Sequence, residues 1–154
     1  MTGKVSTARK RRLQKADYET LAELRYLLRR FLVFSENAAV ATGLTAQQHQ
    51  ALLAIKGFPG REYVTTGELA ERLCIRHHSA VGLIDRLASK GLVARRSGPD
   101  DRRQVLVELT PSAEILLLSL SVMHHEEIQR LAPLLQTLLG HFAEEAVEAT
   151  KDTK

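Results

Sequence analysis

The sequence predicts a mainly α-helical protein with one small β-hairpin, and three observations support this fold class. Leucine and alanine dominate the apolar residues, aromatic residues make up 5% of the chain, and tryptophan is absent. Several long segments of the 154 residues carry apolar residues at spacings of three and four, as on one face of a helix. After the Gly-Pro turn at residues 98–99, apolar residues occupy every second position of a short run, Val105, Val107 and Leu109, which is typical of a half-buried strand.

The first two helices are predicted in the N-terminal third of the chain. A helix over residues 17–40 is indicated by apolar residues at steps of three, four and three: Leu21, Leu24, Leu28 and Phe31. Gly43 ends this helix, and Thr45 is placed to cap a second one that begins in the run AQQHQALLAI. The segment GFPG, residues 57–60, predicts a turn.

The distribution of charge separates the front of the chain from its rear. Residues 1–103 contain 19 Lys and Arg against 10 Asp and Glu, whereas residues 104–154 contain 3 against 8. Such an uneven distribution of charge is expected if one face of the protein binds a polyanion, although ordinary solvated surface charge produces it too. Residues 1–16 are basic and poor in apolar side chains, so we expect them to form a disordered arm.

The segment TTGELAERLCIRHHSAVGLIDRLASKGLV predicts two short helices joined by a tight turn, which is a helix-turn-helix. Thr66 is placed to cap the first helix, Gly67–Leu73, and a turn follows at Cys74–Arg76. The second helix runs to about Lys90, and Gly91 ends it. Its core-facing stripe is expected to be Ala80, Leu83, Ile84 and Leu87.

A neighbouring stripe of the second helix has little to bury and carries hydrogen-bond donors at its N-terminal end. An α-helix fits the major groove of DNA, where its first residues commonly contact base edges. The candidate DNA-binding residues of this helix are Arg76, His77, His78, Ser79 and Val81. Taken alone, the same pattern also describes an ordinary exposed amphipathic helix.

A predicted hairpin follows directly, with strands Val93–Arg96 and Gln104–Leu109 and the tip SGPDDRR. An arginine-rich tip is suited to phosphates and to a narrow minor groove, although a charged solubilising turn is the alternative. The candidate DNA-binding residues here are Arg95, Arg96, Asp101, Arg102 and Arg103. An aspartate two residues from an arginine can hold the guanidinium in one orientation, which would explain why two aspartates stand in so basic a tip.

The C-terminal third predicts two further helices. Thr110 and Pro111 suit the N-cap and the first position of a helix that begins there. Pro133 is expected to break or restart it. The last helix is indicated by apolar residues at steps of four, three and four: Leu131, Leu135, Leu138 and Phe142.

Other chemistry finds little support, and we expect no enzyme, cofactor or metal site. The sequence has no glycine-rich phosphate loop and no nucleophile–base pair. Of the paired histidines at 77–78 and 124–125, only His124 shares a helix face with an acid, Glu127, and a metal needs three or four ligands. The absence of a transmembrane or signal segment and the single cysteine, Cys74, predict a cytoplasmic protein. We interpret Cys74 as a small buried residue.

The stretch ELAERLCIRHHSAVGLIDRLASKGLVARRSGPDDRRQVLVELT resembles the winged-helix core of the MarR family of bacterial transcriptional regulators. The wing pattern of that family is matched by residues 101–103 and by Leu109-Thr110, and DRL and KGLV match the end of its recognition helix. The similarity in order and spacing extends roughly from residue 17 to the end. Two positions depart from the pattern: Gly82 stands where a polar side chain is frequent, and Cys74 where glycine is common.

The resemblance implies a winged helix-turn-helix core with N- and C-terminal dimerisation helices. In one domain spanning 17–154, the DNA-binding lobe would be about 45–109 and the dimerisation helices about 17–42 and 111–150. It implies a homodimer that binds a pseudo-palindromic double-stranded DNA operator, with Asp101 steadying the wing tip and Arg103 entering the minor groove. We expect a sequence-specific repressor released by a small-molecule ligand, an aromatic effector in many relatives. The alternative is a winged-helix protein-interaction module without operator recognition.

Overall fold

The computed structural model describes the backbone of residues 13–151 and the side chains of residues 13–144. The elements, in chain order, are α1 Lys15–Ala41, α2 Ala46–Lys56, β1 Tyr63–Thr65, α3 Thr66–Arg72, α4 His77–Ser89, β2 Val93–Ser97, β3 Val105–Leu109 and α5 Pro111–Lys151. The mainly helical fold with a small wing is therefore confirmed. Most of the predicted arm lies outside the described residues, but its last two residues, Lys15 and Ala16, already belong to α1.

The described residues form two compact units, residues 13–30 with 130–151 and residues 31–129. In the described part of the first unit, Leu27 and Leu131 are buried, whereas Leu21 and Leu28 of the predicted stripe are largely exposed. The second unit contains the helix-turn-helix, the sheet and the main apolar core. No helix within residues 13–151 is long and apolar enough to cross a membrane.

The caps of α2 and α3 are both built from a threonine followed three residues later by a side chain that returns the bond. Thr45 accepts a hydrogen bond from the Gln48 N–H while the Gln48 side chain accepts from the Thr45 N–H. Thr65 and Glu68 repeat this arrangement at α3. The prediction that Thr66 caps α3 was wrong by one residue, because the acid at the third helical position pairs with Thr65.

The prediction that Pro133 breaks the C-terminal helix was also wrong. α5 continues through Pro133 as one helix of 41 residues. A proline removes one backbone hydrogen bond, and the leucines and alanine on either side are strong helix formers. The Thr137 hydroxyl donates to the Pro133 carbonyl at 3.0 Å.

The sheet has three antiparallel strands in the order β1-β3-β2. The predicted hairpin is β2 and β3, although β2 extends to Ser97 and β3 begins at Val105. The short strand β1 was not predicted, and it pairs Tyr63 with Glu108 and Thr65 with Leu106. Since β1 reaches only the inner part of β3, the tip of the hairpin extends beyond it.

The core of the second unit confirms the predicted stripe of α4. Ala80, Leu83, Ile84 and Leu87 are each at most 1% exposed. Leu83, Ile84 and Leu87 pack with apolar residues of α2, β1, β3 and α5, among them Leu52, Val64, Val107 and Leu120. Burying one such leucine contributes about 1.5–3 kcal/mol relative to exposure, so this stripe fixes which face of α4 points outward.

Candidate nucleic-acid interface

The outward face of α4 carries the residues that the sequence singles out. His77 and His78 are exposed, Val81 is 40% exposed, and Ser79 is half-buried. Arg76, exposed, is the N-cap residue and makes no side-chain hydrogen bond to the helix. The N-terminal turn of α4 therefore presents a cation, two imidazoles and one apolar contact surface to solvent, and contact of these side chains with DNA stays a prediction.

Gly82 brings a further cation onto this face that the sequence analysis did not name. A Cβ added at Gly82 would lie 3.3 Å from Nη1 of Arg86, so the Arg86 side chain folds back over the glycine. Arg86 is exposed, and four residues separate the two positions, which places them on neighbouring turns. The sequence could have indicated this contact, because a long side chain four residues after a glycine in a helix can extend over that glycine.

The two arginines at the base of the wing are bound to carboxylates within the lobe. The Arg95 guanidinium donates to Asp85, which joins β2 to α4. The Nε of Arg96 donates to Oε2 of Glu108 at 2.8 Å, and its guanidinium lies over the ring of Tyr63. Contact of Arg95 or Arg96 with phosphates stays a prediction. It requires each guanidinium to bind a phosphate while it remains paired with Asp85 or Glu108.

The wing tip is a tight loop held by backbone groups. The Gly98 N–H donates to the Gln104 carbonyl at 2.8 Å, and the Gln104 N–H donates to the Asp101 carbonyl at 3.0 Å. A Cβ at Gly98 would lie 2.9 Å from that Asp101 carbonyl oxygen, so only glycine fits this approach. Arg102 and Arg103 are exposed, and neither forms an ion pair within the part of the chain that the structure describes.

Asp101 acts on the tip differently from the expectation. Its carboxylate accepts the backbone N–H of Arg103 at 2.9 Å, and not the guanidinium. Such a bond to the N–H two residues on is the turn that a short acidic side chain favours. Asp101 therefore fixes the backbone from which the Arg103 side chain leaves, while the guanidinium remains available.

The interpretation of Cys74 as a buried residue was wrong, because its side chain is exposed. Cys74 follows α3 with φ of +53°, a left-handed conformation usually taken by glycine. The Ile75 N–H closes the helix end onto the Ala70 carbonyl at 3.0 Å. This geometry turns the chain from α3 toward α4 and directs the thiol away from the core.

The histidine singled out on α5 belongs to a buried cluster in the second unit. Nδ1 of His124 lies 2.7 Å from the Leu120 carbonyl and Nε2 lies 2.8 Å from the Ser35 hydroxyl. Its ring is 4.6 Å from that of His49, which is 2% exposed and whose Nδ1 has no hydrogen-bond partner within residues 13–144. Burial, and then the neighbouring His124, lower the pKa of His49. Among the described residues, no group of three or more His, Cys, Asp or Glu could hold a metal ion.

Comparison with known proteins bears on this arrangement of helix-turn-helix and wing. Residues 42–104 match the MarR family. This part of the chain, which holds the helix-turn-helix and most of the wing, is therefore similar to the winged-helix lobe of MarR family regulators. A curated relative, the uncharacterized HTH-type transcriptional regulator YfiV of Bacillus subtilis (strain 168), is 34% identical over 68 residues, which span 44% of this chain and 42% of YfiV. The MarR match spans the predicted operator-contact residues of α4 and of the wing.

Solved structures share the fold over most of the chain. AbsC, a MarR family transcriptional regulator from Streptomyces coelicolor, superposes with a TM-score of 0.69 at 20% identity, over 92% of this chain and 98% of AbsC. A single-site mutant of MarR from E. coli, solved in complex with operator DNA, gives 0.61 at 23% identity, over 86% and 99%. These MarR family relatives are transcriptional regulators and not enzymes, as the sequence predicts.

Proposed function

We propose that this protein is a homodimeric, sequence-specific DNA-binding transcriptional regulator. One observation carries the proposal: the exposed N-terminal face of α4 and the exposed arginines of the wing tip belong to one MarR lobe, in which the Arg95–Asp85 ion pair joins wing and helix. In this proposal α4 enters the major groove and reads bases through His77, His78 and Val81. Arg103 enters the adjacent minor groove, where the negative potential is strongest.

The proposed domain organisation assigns residues 45–109 to DNA and the helices at 17–42 and 111–150 to dimerisation. Support comes from apolar side chains exposed on α1 and α5, of which Ile115 and Leu118 are 74% and 66% exposed. Exposed apolar surface of this extent is typical of an interface. A two-fold symmetric dimer presents two lobes to a pseudo-palindromic operator.

Light scattering tests the dimer. We expect a dimeric mass at micromolar concentration for the wild type and a monomeric mass for Leu118→Glu, because a buried charge at the interface costs more than the contact it replaces. Leu53→Glu is the matched control, since Leu53 is also largely exposed but lies on α2. A monomeric wild type, or equal effects of the two variants, contradicts this part of the proposal.

A repressor role and release by a small ligand complete the proposal at a finer level. A solved neighbour, BpsR of Bordetella bronchiseptica, is described by the regulation of its DNA binding by 6-hydroxynicotinic acid. By analogy we propose a small aromatic effector that lowers operator affinity in a cytoplasmic regulator. Titration of an aromatic acid library against the protein–DNA complex tests this, and the absence of any compound that releases DNA contradicts it.

The alternative function is a winged helix that binds another protein and reads no operator. Selection of duplexes from a randomised DNA pool, followed by titration at several salt concentrations, separates the two. A DNA-binding regulator enriches one sequence class and binds it at least about 10³-fold more tightly than the starting pool. A protein-interaction module gives no enrichment, and only weak binding that vanishes with salt.

A further inference from the structure

We propose that five side chains, four of them outside the predicted DNA contacts, set the angle at which the wing tip meets DNA. They alternate between arginine and aromatic ring: Arg72, Phe58, Arg61, Tyr63 and Arg96, called here the Arg–aromatic stack. The inference rests on the proposed function and adds positioning residues to it. In particular, it proposes that Tyr63 supports DNA binding by positioning the wing and does not contact DNA itself.

The stack is continuous from α3 to the wing. The guanidinium carbon of Arg72 lies 5.1 Å from the centroid of the Phe58 ring, and that of Arg61 lies 4.5 Å from the same centroid. Arg61 also lies 4.9 Å from the centroid of Tyr63, and Arg96 lies 4.6 Å from it. Each ring therefore has two cations within the range of a cation–π interaction, so each side chain limits the position of the next.

The middle of the stack is anchored to the cap of α3. The Arg61 guanidinium donates to Glu68, whose other carboxylate oxygen accepts the Thr65 N–H at 2.8 Å. Burial opposes ionisation of Glu68, but these bonds together outweigh it and lower the pKa of Glu68 below its usual value. Glu68 thus stays charged at neutral pH and holds Arg61 against both rings.

The wing end of the stack spans the whole width of the sheet. In the strand order β1-β3-β2, Tyr63 lies on one outer strand and Arg96 on the other, with Glu108 on the strand between them. Arg96 reaches across β3 to Tyr63 and bonds Glu108 on the way. Arg96 is also the next-to-last residue of β2. Its contacts with Glu108 and Tyr63, called here the clamp, therefore lie where the three-stranded sheet ends and the two-stranded tip begins.

A clamp at this place has a mechanical reason. A two-stranded hairpin is marginally stable in water by itself, and β1 supports only residues 106–108 of β3. Without a cross-sheet contact, the tip can swing about its base and Arg103 loses its fixed approach to the groove. A small misplacement of a contacting group reduces binding even when the group itself is intact.

The test is a double-mutant cycle between the stack and the tip, on full-length protein and the duplex enriched from the randomised pool. Tyr63→Leu removes the ring and retains an apolar side chain on the strand. Tyr63→Phe is the matched control because it keeps both ring faces. We expect Tyr63→Leu to weaken binding about three- to fivefold, the equivalent of one or two exposed cation–π contacts, and Tyr63→Phe to bind as wild type.

The second half of the cycle repeats Tyr63→Leu in an Arg103→Ala protein. If Tyr63 acts by aiming the tip, its effect falls below about 1.5-fold there, because Arg103 no longer makes the contact that is being aimed. Arg96→Lys, which keeps the charge but loses the planar group, should reproduce Tyr63→Leu. Circular dichroism at the assay temperature verifies that all variants are folded.

Three results would overturn the inference. Equal binding of wild type and Tyr63→Leu removes the role altogether. An effect of Tyr63→Leu that is equally large in both backgrounds assigns it to general stability of the lobe. If Arg96→Lys binds DNA as tightly as the wild type, Arg96 acts through its charge alone and not through its stacking on Tyr63. Failure of the wild type to enrich any duplex refutes the proposed function instead, which keeps the two failures distinct.

Discussion

The base and the tip of the wing each carry two arginines, but the structure uses the two pairs differently. Arg95 and Arg96 at the base are each bound to a carboxylate. Arg102 and Arg103 at the tip extend from a loop that is closed by backbone hydrogen bonds and by the Asp101 carboxylate, which binds a backbone N–H and neither guanidinium. A cation beside a carboxylate adds little net positive potential at the distance of a phosphate. The count of four arginines therefore overstates the charge that the wing offers to DNA, and half of it serves to hold the wing in place.

The tip provides the largest expected effect. Arg103→Ala should weaken binding to the enriched duplex by about 1–3 kcal/mol, the magnitude of one well-placed groove contact. The midpoint of thermal unfolding should hardly change, because an exposed tip side chain contributes little to folding. Fluorescence anisotropy and calorimetry measure the two quantities. Arg102→Ala is the matched control at the neighbouring position, and an equal loss there would show that the tip is only a charged patch.

Asp101→Ala distinguishes backbone positioning from charge at the same tip. Removal of an acid near phosphates should tighten binding if electrostatics alone decides. We expect the opposite sign, a loss of about 1 kcal/mol, because the N–H of Arg103 loses the acceptor that fixes the loop. Titrations at two salt concentrations measure the sign, and tighter binding by Asp101→Ala contradicts the positioning role.

At the base, a smaller effect is expected. Arg95→Ala removes a half-exposed ion pair to Asp85, and such surface pairs contribute about 0–1 kcal/mol to stability. Because the charge of Arg95 is already shared, the slope of log affinity against log salt should change by much less than the unit that a full phosphate contact gives. A loss of a full unit in the slope would assign Arg95 to the backbone of DNA and abolish the distinction between base and tip.

The smallest expected effect concerns the protonation of His49, a residue outside the wing. Since the pKa of His49 is lowered by burial and by His124, the unfolded chain binds a proton there more readily than the folded one. The free energy of unfolding should therefore be constant above the unfolded pKa of about 6.5 and fall as the pH decreases below it. Urea unfolding between neutral and mildly acidic pH measures this slope. His49→Phe should flatten this dependence of stability on pH. His125→Gln is the control, because His125 is exposed and follows His124 in the chain, and it should leave the slope unchanged.

The sequence predicted those features that depend on local spacing. The core stripe of α4 and the Thr45 cap rest on residues within one or two turns of each other, and both were confirmed. The strand β1 escaped because three residues carry no periodicity and gain their partner from residues 106–108, which are distant in the chain. The pairing of Arg95 with Asp85 is likewise tertiary, since ten residues and a turn separate them. Cys74 was misjudged because cysteine is usually buried, while its position after α3 demands a left-handed backbone.

The exposed thiol of Cys74 has a practical consequence for following this protein in solution. It is the single cysteine of the chain, so a maleimide dye attaches at one place per protomer. That place is the connection between α3 and α4, three residues before the first turn that would meet the major groove. In the proposed dimer two such dyes report the separation of the lobes by energy transfer, and an effector that moves the lobes apart or together changes that signal without any label on the DNA.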